Sequence, residues 1–181
     1  MELTTERLKL RELRMDDAEI LADLINNINI TKNLAVVPHP YDKKDAEEFI
    51  EKCIEQKEEE PRSDYCFAIE EKDSSNFLGT ISIGKKDKDE EVGKLGYWLA
   101  EKYWRQGYMS EALEKVLELG FDELDLRRIE AKVYTDNIAS QKLLEKFDFK
   151  REGVQREAQK VEATGDIKDN IFYGLLAENF D

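Results

Sequence analysis

The sequence predicts a single α+β domain in which a central, mostly antiparallel twisted sheet of about seven strands carries helices on both faces. The chain has 181 residues, and a chain of this length buries about 70 per cent of its unfolded surface around one core. No linker-like segment interrupts it, so residues 1–181 form one domain. Strand-like segments follow each other in the first half, whereas helices and strands alternate in the second half, which predicts a mixed sheet.

The first third of the chain predicts one strand and two helices, with a loop before the second helix. "TERLKLRELR" alternates leucine with charged residues, as a half-buried strand does, and "MDDAEILADLINN" changes to helical spacing. Pro38 and Pro40 predict a loop, and Phe49 and Ile50 belong to one apolar stripe of the charged helix that follows. His39, between the prolines, is the only histidine, so a pair of histidine ligands to a metal is excluded.

The rest of the chain supplies most of the predicted sheet. The segments "DYCFAIEE", "NFLGTISIGK" and "VGKLGYWLA" are separated by turn-forming or charged residues and predict an antiparallel meander. A helix of about Ser110 to Leu124, the strand "RIEAKVYT" and a helix from about Asn137 to Phe147 come next. The strands "FKREGVQREA" and "DNIFYGLLA" complete the order.

Charge limits the classes of partner. The formal net charge of −14 excludes a general nucleic-acid-binding surface, which needs clustered lysine and arginine. The acidity would favour a basic or polyamine-like substrate, or it would serve only to keep the protein in solution. Any anionic ligand must find local positive charge.

Cysteine usage and hydropathy indicate the compartment. Cys53 and Cys66 form no CxxC motif and are expected to be reduced, buried thiols, and no metal site is predicted. The chain has no secretion signal pattern and no apolar run long enough to cross a bilayer. We therefore expect a cytoplasmic protein without a membrane partner.

The segment "YWRQGYMSEAL" contains a glycine immediately before a predicted helix. A helix that starts near Met109 directs the free N–H groups of its first turn into the preceding loop, which makes an anion site. Gly107 has no Cβ, so it can adopt a positive φ and let a phosphate approach the backbone, while Lys102 and Arg105 add positive charge. Ser110 would cap the helix or donate its hydroxyl to the phosphate.

The loop by itself leaves the role of this glycine open. A lone glycine before a helix also serves as a simple turn residue. The phosphate loops GxGxxG and GxxxxGK[ST] do not occur in the chain, so a phosphate bound here would belong to a different cofactor.

A second motif, "RRIEAKVYTDNIASQKLLEKFDFKREG", joins a strand, an asparagine at a helix start and a helix that leads into a strand. Together with "LGYWLAEKYWRQGYMSEAL" it resembles the GNAT superfamily of N-acetyltransferases, and most of all the Rim-type branch, whose named members acetylate the N-terminal amines of ribosomal proteins. The similarity extends to "TERLKLREL", "AEEFIEK", "NFLGTISI" and "IFYGLLAENF", so it covers nearly the whole chain. Two separate motifs in the expected order make the resemblance specific.

The resemblance implies that acetyl-CoA binds at these motifs. In GNAT enzymes the strand before the phosphate loop separates from its neighbour and binds the pantetheine arm and the thioester carbonyl, and Tyr97, Trp98 and Leu99 lie at that position. Asn137 would hold the cofactor arm and Ser140 would face the sulfur, although both residues would also suit the first turn of a helix. The diphosphate would lie on the loop residues Arg105, Gln106, Gly107, Tyr108, Met109 and Ser110.

Two departures from the family pattern concern the second motif. Many GNAT enzymes carry a tyrosine acid where this chain has Leu144, which leaves Ser140, directly or through water, as the candidate acid for the leaving thiolate. Asp148 replaces the glycine of the usual Leu-Gly-Phe turn. Aspartate tolerates the left-handed conformation, so we expect the turn to be kept.

The general base is the least defined role. Lys94 stands where the Rim-type motif usually has a glutamate that would act as base. Glu91 is then the candidate base, with the neighbouring Glu90 and the later Glu157 as alternatives, and each would equally suit a solvated surface. A strong base is not needed for every amine: an α-amine of pKa about 8 is about one tenth neutral at pH 7, whereas a lysine amine is almost entirely charged.

The expected reaction is direct attack of a primary amine on acetyl-CoA in a ternary complex, without an acyl-enzyme and without a metal. The first candidate acceptor is the N-terminal α-amine of a protein, such as a ribosomal protein. A small amine, a polyamine or an antibiotic is the second, and a non-catalytic CoA-binding module is the alternative from another class. The segment from about Asn26 to Tyr41 and the strands after Phe149 would select the acceptor. A homodimer is an expectation from the resemblance alone.

Overall fold

The computed structural model describes residues 1–87 and 91–180. Within them are eight strands and five α-helices. The strands are β1 (Glu2–Thr4), β2 (Leu8–Glu12), β3 (Asp64–Glu71), β4 (Phe77–Asp87), β5 (Val92–Leu99), β6 (Arg128–Tyr134), β7 (Lys150–Lys160) and β8 (Ile167–Leu176). The helices are α1 (Ala18–Ile25), α2 (Ile28–Thr31), α3 (Lys43–Lys57), α4 (Tyr108–Glu118) and α5 (Ile138–Lys146).

All eight strands form one sheet, in the order β1-β2-β3-β4-β5-β6-β8-β7. Every neighbouring pair is antiparallel except β5 and β6, which are parallel because α4 crosses over between them. The predicted mixed, mostly antiparallel sheet is confirmed, with one strand more than expected. The first predicted strand is β2, and the additional strand β1 precedes it in a hairpin, in which Glu2 pairs with Arg11 and the Thr5 amide donates to the Leu8 carbonyl at 2.9 Å.

Helices cover both faces of the sheet, as predicted. On one face α1 and α3 bury Leu21 and Ile50 completely, in a core that also contains Trp98 of β5. On the other face α4 and α5 bury Leu113 and Leu144 completely. Burial of each such side chain contributes about 2 kcal/mol to the stability of the fold. The two apolar layers therefore hold β5 and the starts of α4 and α5 in fixed positions relative to one another.

The helix after Gly107 is regular over a shorter span than predicted. Leu119–Glu123 form one wider turn, closed by a hydrogen bond of 3.0 Å from the Leu124 amide to the first carbonyl of the turn. Gly120 lies in this turn, where a Cβ would come within 2.7 Å of the Ile83 side chain. The wide turn therefore occurs where the backbone approaches the sheet too closely for a side chain.

The two cysteines, expected as separate buried thiols, meet in the fold. Cys66 on β3 is buried, whereas Cys53 on α3 is partly exposed. The two residues line one cavity, and the neighbouring Cys53 thiol together with burial raises the pKa of Cys66. The contact joins a helix to the sheet, which the separation of the two residues in the sequence does not indicate.

Residues 1–87 and 91–180 contain neither a membrane-spanning helix nor a metal-binding cluster of side chains. None of their helices has the length and apolar composition of a membrane span. They also contain no group of three or more histidine, cysteine, aspartate and glutamate side chains that is arranged to hold a metal ion.

Glu12, at the end of β2, ties three segments together. Its carboxylate pairs with Arg62 before β3 (2.8 Å) and with Lys57 at the end of α3 (3.0 Å). Burial disfavours the charged form of this carboxyl group, but hydrogen bonds from Arg62, the N-terminal ammonium of Met1 and Lys57 outweigh burial and lower its pKa to about 2.

We expect Glu12→Gln to lower the free energy of unfolding at pH 7 by about 3 kcal/mol, which is the equivalent of a pKa shift from 4.5 to about 2. The folded protein binds this proton more weakly than the unfolded chain, so the stabilisation is present above about pH 4.5 and is lost as the pH falls toward about 2. Denaturant melts at neutral and acidic pH measure the effect, with Glu2→Gln on exposed β1 as the control. An equal loss at both pH values would contradict the electrostatic explanation.

Candidate active site

The parallel strands β5 and β6 are paired only at their beginnings. β5 stays paired with β4 as far as Leu99, and β6 stays paired with β8 as far as Tyr134. A gap therefore opens between the C-terminal ends of β5 and β6, and the backbone groups of β5 that face the gap have no strand partner in the described part of the chain. Both α4 and α5 begin at this end. The paired residues are Val92–Arg128, Gly93–Ile129 and Lys94–Glu130.

A short loop joins β5 to α4 at the mouth of the gap. Trp104 fixes its first part by donating its indole N–H to the Leu99 carbonyl at 2.8 Å. Arg105 has a φ of 60° and Gly107 a φ of 84°, so the chain enters the left-handed region twice before the helix. Glycine adopts this conformation at little cost, whereas arginine loses about 1 kcal/mol. α4 then begins at Tyr108, with Gly107 as its N-cap, close to the predicted start.

The start of α4 has free backbone N–H groups. No hydrogen bond among the described residues uses the amides of residues 106–110. The Gly107 carbonyl accepts the first helical hydrogen bond, from the Glu111 amide at 3.1 Å. Free N–H groups at a helix N-terminus attract anions, so the predicted loop has the local geometry of an anion site.

Arg7, in the turn between β1 and β2, brings a positive charge to this loop. Its guanidinium donates to the Gln106 carbonyl (3.1 Å), lies over the Tyr108 ring (4.5 Å to the centroid) and pairs with Glu111 (2.7 Å). The hydrogen bond to Glu111 raises the pKa of Arg7. A Cβ on Gly107 would lie 3.3 Å from the guanidinium, so the glycine leaves the space in front of Arg7 open.

Arg7 is a positive charge of the loop that the sequence did not predict, since only Lys102 and Arg105 were expected there. Lys102 lies over the Tyr103 ring, with its ammonium 5.0 Å from the centroid, and Arg105 is exposed. Arg7 is far from the loop in sequence and reaches it only through the β1–β2 hairpin. Nothing in the alternating charges of the first strand distinguishes Arg7 from its neighbours.

α5 begins across the gap, with Asn137 as its N-cap at the predicted place. The Asn137 side-chain oxygen accepts a hydrogen bond from the Ser140 amide at 3.2 Å. Ser140 Oγ lies 2.5 Å from the Tyr97 hydroxyl, so one hydrogen bond spans the gap from β5 to α5. Burial raises the pKa of Tyr97 to about 12, although the hydrogen bond with Ser140 opposes this. The phenol therefore keeps its proton at neutral pH, and the two hydroxyls form a neutral pair.

The side chains of Trp98 and Leu99 both point into the cores, and only the Leu99 backbone faces the gap, since the Trp98 carbonyl points to β4 beside Gly79. The Trp98 side chain belongs to the core under α1 and α3, and the Leu99 side chain belongs to the core under α4. The Leu99 carbonyl already accepts a hydrogen bond from Trp104 and keeps one lone pair for a ligand. The remaining backbone groups of this strand end are those that face β6.

The end of α5 has the structure expected from the sequence. Leu144 is completely buried in the main core and offers no acid at that position. Asp148 has a φ of 61°, which confirms that it takes the left-handed conformation expected of the turn. The Phe149 amide donates to the Leu144 carbonyl at 3.2 Å and closes the turn.

Glu91 lies at the wrong end of β5 for a direct role beside Ser140. It is exposed in a turn before the strand, and its carbonyl accepts from the Arg127 amide at 2.9 Å. At a rise of about 3.3 Å per residue, Glu91 is roughly 20 Å from Tyr97, too far for direct proton transfer at the gap. The alternative Glu90 lies outside the described residues, and Glu157 is exposed on β7.

The segment from Asn26 to Tyr41, expected to select the substrate, lies on the face of the sheet that carries α1 and α3. Asn27 donates to Glu101, just after β5, at 2.5 Å. The Glu162 amide, between β7 and β8, donates to the Ala35 carbonyl at 3.3 Å. The segment thus connects the loop after β5 to the β7–β8 hairpin at the mouth of the gap.

Comparisons with known proteins identify the family and the fold. Residues 7–150 match the family model described as acetyltransferase (GNAT) domain. The uncharacterized N-acetyltransferase p20 of Bacillus licheniformis is 32% identical over 178 residues, which are 98% of this chain and 97% of that protein. A GNAT-family acetyltransferase from Bacillus anthracis has a TM-score of 0.83 at 24% identity, over 98% and 99% of the two chains. RimL, a ribosomal L7/L12 alpha-N-protein acetyltransferase solved with coenzyme A, has a TM-score of 0.85 at 20% identity, over 97% and 98%.

Proposed function

The chain belongs to the GNAT family of acetyltransferases, and on this premise we propose that it transfers an acetyl group from acetyl-CoA to the N-terminal α-amine of a protein. The family and the N-acetyltransferase relatives make it an acyltransferase. The α-amine acceptor is favoured by the likeness in fold to RimL, whose name describes an alpha-N-protein acetyltransferase. A ribosomal protein is the first substrate to test.

The observation that carries the proposal is the gap between β5 and β6, with the free N-terminus of α4 beside it. In our proposal the amides of residues 106–110 and the Arg7 guanidinium bind the diphosphate of coenzyme A. The fit is supported by Gly107, whose missing Cβ leaves room in front of Arg7. The pantetheine arm would then run along the unpaired edge of β5, with Asn137 on its other side.

The Tyr97–Ser140 pair is proposed to protonate the leaving group. Ser140 lies on the α5 side of the gap, where the sulfur would arrive, and shares a 2.5 Å hydrogen bond with Tyr97. When the C–S bond breaks, Ser140 gives its hydroxyl proton to the thiolate and takes one from Tyr97, and Tyr97 regains a proton from solvent as the new amide nitrogen releases one to it. A backbone N–H at the free edge of β5 would stabilise the oxyanion, a contribution typically of about 3 kcal/mol per donor.

The acceptor amine is proposed to attack in its neutral form without a strong protein base. Glu91 is too far from the gap to take the proton directly, as its position at the start of β5 indicates. An α-amine with a pKa of about 8 is about one tenth neutral at pH 7, so solvent can remove the proton. This property favours an N-terminal amine over a lysine side chain as acceptor.

A thiol-release assay with acetyl-CoA tests the function. Short peptides with the N-termini of ribosomal proteins are compared with spermidine, because the net charge of −14 also favours a polyamine. Release of CoA with acetylation of the peptide α-amine, located by mass spectrometry, is the expected result. Turnover of spermidine alone would indicate that the acceptor is a small amine and not a protein N-terminus. Tight CoA binding without turnover of any amine would indicate a non-catalytic module.

We expect Arg7→Ala to raise the Kd for coenzyme A about tenfold, since a charged hydrogen bond contributes about 1.5–3 kcal/mol and Glu111 would be left unpaired at the anion site. The Arg7→Ala/Glu111→Gln double variant should recover part of the loss because it removes that repulsion. Calorimetry measures the affinity, and S-acetyl-N-acetylcysteamine, a donor without phosphates, is the control. Equal losses of turnover with both donors would show that Arg7 acts on the fold rather than on the phosphates.

A further inference from the structure

Tyr134, at the C-terminal end of β6, has a buried phenol without a partner. Only 5% of the residue is exposed, and its hydroxyl is the one buried side-chain polar atom without a hydrogen-bond partner among the described residues. A buried hydroxyl that makes no hydrogen bond is costly and needs an explanation. The Tyr134 carbonyl, by contrast, accepts from the Asn137 amide at 3.0 Å and from the Gln141 side chain at 3.3 Å.

The register of the sheet assigns Tyr134 to the face opposite the proposed coenzyme site. Ala131 and Val133 point into the core under α4 and α5, so Tyr134 points to the other face. If the register of Lys94 opposite Glu130 is continued, Trp98 comes opposite Tyr134 across the gap. Coenzyme A would approach from the side of the α4 and α5 N-termini. The acceptor amine would therefore enter the gap from the other face of the sheet, where Tyr134 lies.

The groups around Tyr134 favour a ligand oxygen that accepts a hydrogen bond from the Tyr134 hydroxyl. The Lys168 ammonium lies 4.9 Å from the centre of the Tyr134 ring and is held by Asp136 (2.8 Å) and by the Lys32 carbonyl (3.1 Å). A cation at this position disfavours a second cation but suits a carbonyl oxygen. Burial, with the charge of Asp136, raises the pKa of Tyr134, so the phenol is a donor at neutral pH.

We propose that Tyr134 donates its hydroxyl hydrogen to the carbonyl oxygen of the first residue of the acceptor, next to the amine that is acetylated. Every protein N-terminus has this carbonyl, and a polyamine has none. Tyr134 is therefore a specificity-determining residue that recognises α-amino carbonyl compounds. This inference rests on the proposed function and names the substrate feature that the site reads.

The test compares wild type with Tyr134→Phe on two acceptors. One is a short peptide, and the other is the same peptide with a trans-alkene in place of its first peptide bond, which keeps the shape and removes the carbonyl. We expect Tyr134→Phe to raise the KM or Ki of the normal peptide about 3- to 10-fold, the range for one neutral hydrogen bond. The alkene peptide should bind both proteins equally, and kcat, CoA affinity and Tm should not fall.

Three contrary results would overturn the inference. An unchanged KM for the normal peptide would exclude the hydrogen bond, and a fall in kcat with an unchanged KM would assign the phenol to the thioester. A lower Tm or weaker CoA binding, without the same change in a Tyr65→Phe control on β3, would indicate a structural role. Failure of the proposed function is distinguishable, because the wild-type protein would then acetylate none of the amines.

Discussion

A Gly107→Trp variant is expected to lose coenzyme A binding, with Kd raised by at least about 100-fold, while the protein stays folded. The indole would fill the space in front of the Arg7 guanidinium, which lies 3.3 Å from the position of a Cβ at residue 107. It would also cover the free amides at the start of α4, so the diphosphate would lose charge-assisted hydrogen bonds of about 1.5–3 kcal/mol each. Calorimetric titration with coenzyme A measures the loss.

Backbone strain is separated from blockage by a matched variant. Residue 107 has a φ of 84°, and a side chain in the left-handed region costs about 1–2 kcal/mol. Gly165 has a similar φ of 75° with nothing within 4 Å of an added Cβ, so Gly165→Trp carries the same strain away from the loop. Both variants should lose a few degrees of Tm, about 2–4 °C for each kcal/mol in a chain of this size. Unchanged affinity in Gly107→Trp, or equal losses in both, would refute the diphosphate site.

Ser140→Ala is expected to lower kcat about 100-fold and to change the affinity for acetyl-CoA little. General acids contribute about 100- to 10,000-fold, and the low end applies here because a thiol of pKa about 8.5 is already a good leaving group. Ser140→Thr keeps the hydroxyl and should retain most of the rate. Steady-state kinetics together with calorimetry measure the two quantities separately.

The hydrogen bond between Tyr97 and Ser140 leads to a second prediction, which concerns the kcat of variants at both residues. If the two hydroxyls act as one chain, Tyr97→Phe also lowers kcat, and the double variant loses no more than Ser140→Ala alone. Additive losses would mean that the two residues act independently. Equal losses of kcat and of acetyl-CoA affinity in Ser140→Ala would reassign the residue to binding, and an acetylated Ser140 trapped during turnover would contradict direct attack by the amine.

Several features of the site were predictable because they depend on neighbouring residues only. The glycine before α4 and the asparagine before α5 are each decided within one turn of helix, by dihedral preference and by the N–H groups of that turn. The left-handed conformation of Asp148 is a property of one residue in one turn. The order of strands and helices follows from apolar periodicities that can be read along the chain.

The sequence by itself therefore determined the elements, their order and the two helix starts that frame the gap. Only the tertiary structure decided which distant groups meet there: Arg7 reaches the loop through a hairpin, and Tyr97 contacts Ser140. The Tyr134 hydroxyl lies on the other face of the sheet and has no hydrogen-bond partner in the part of the chain that the structure describes. The tertiary structure also placed Glu91 away from the gap, since the gap opens at the far end of β5. The physical reason is that a local pattern fixes which face a side chain takes, but not which strand pairs with which or where the pairing stops.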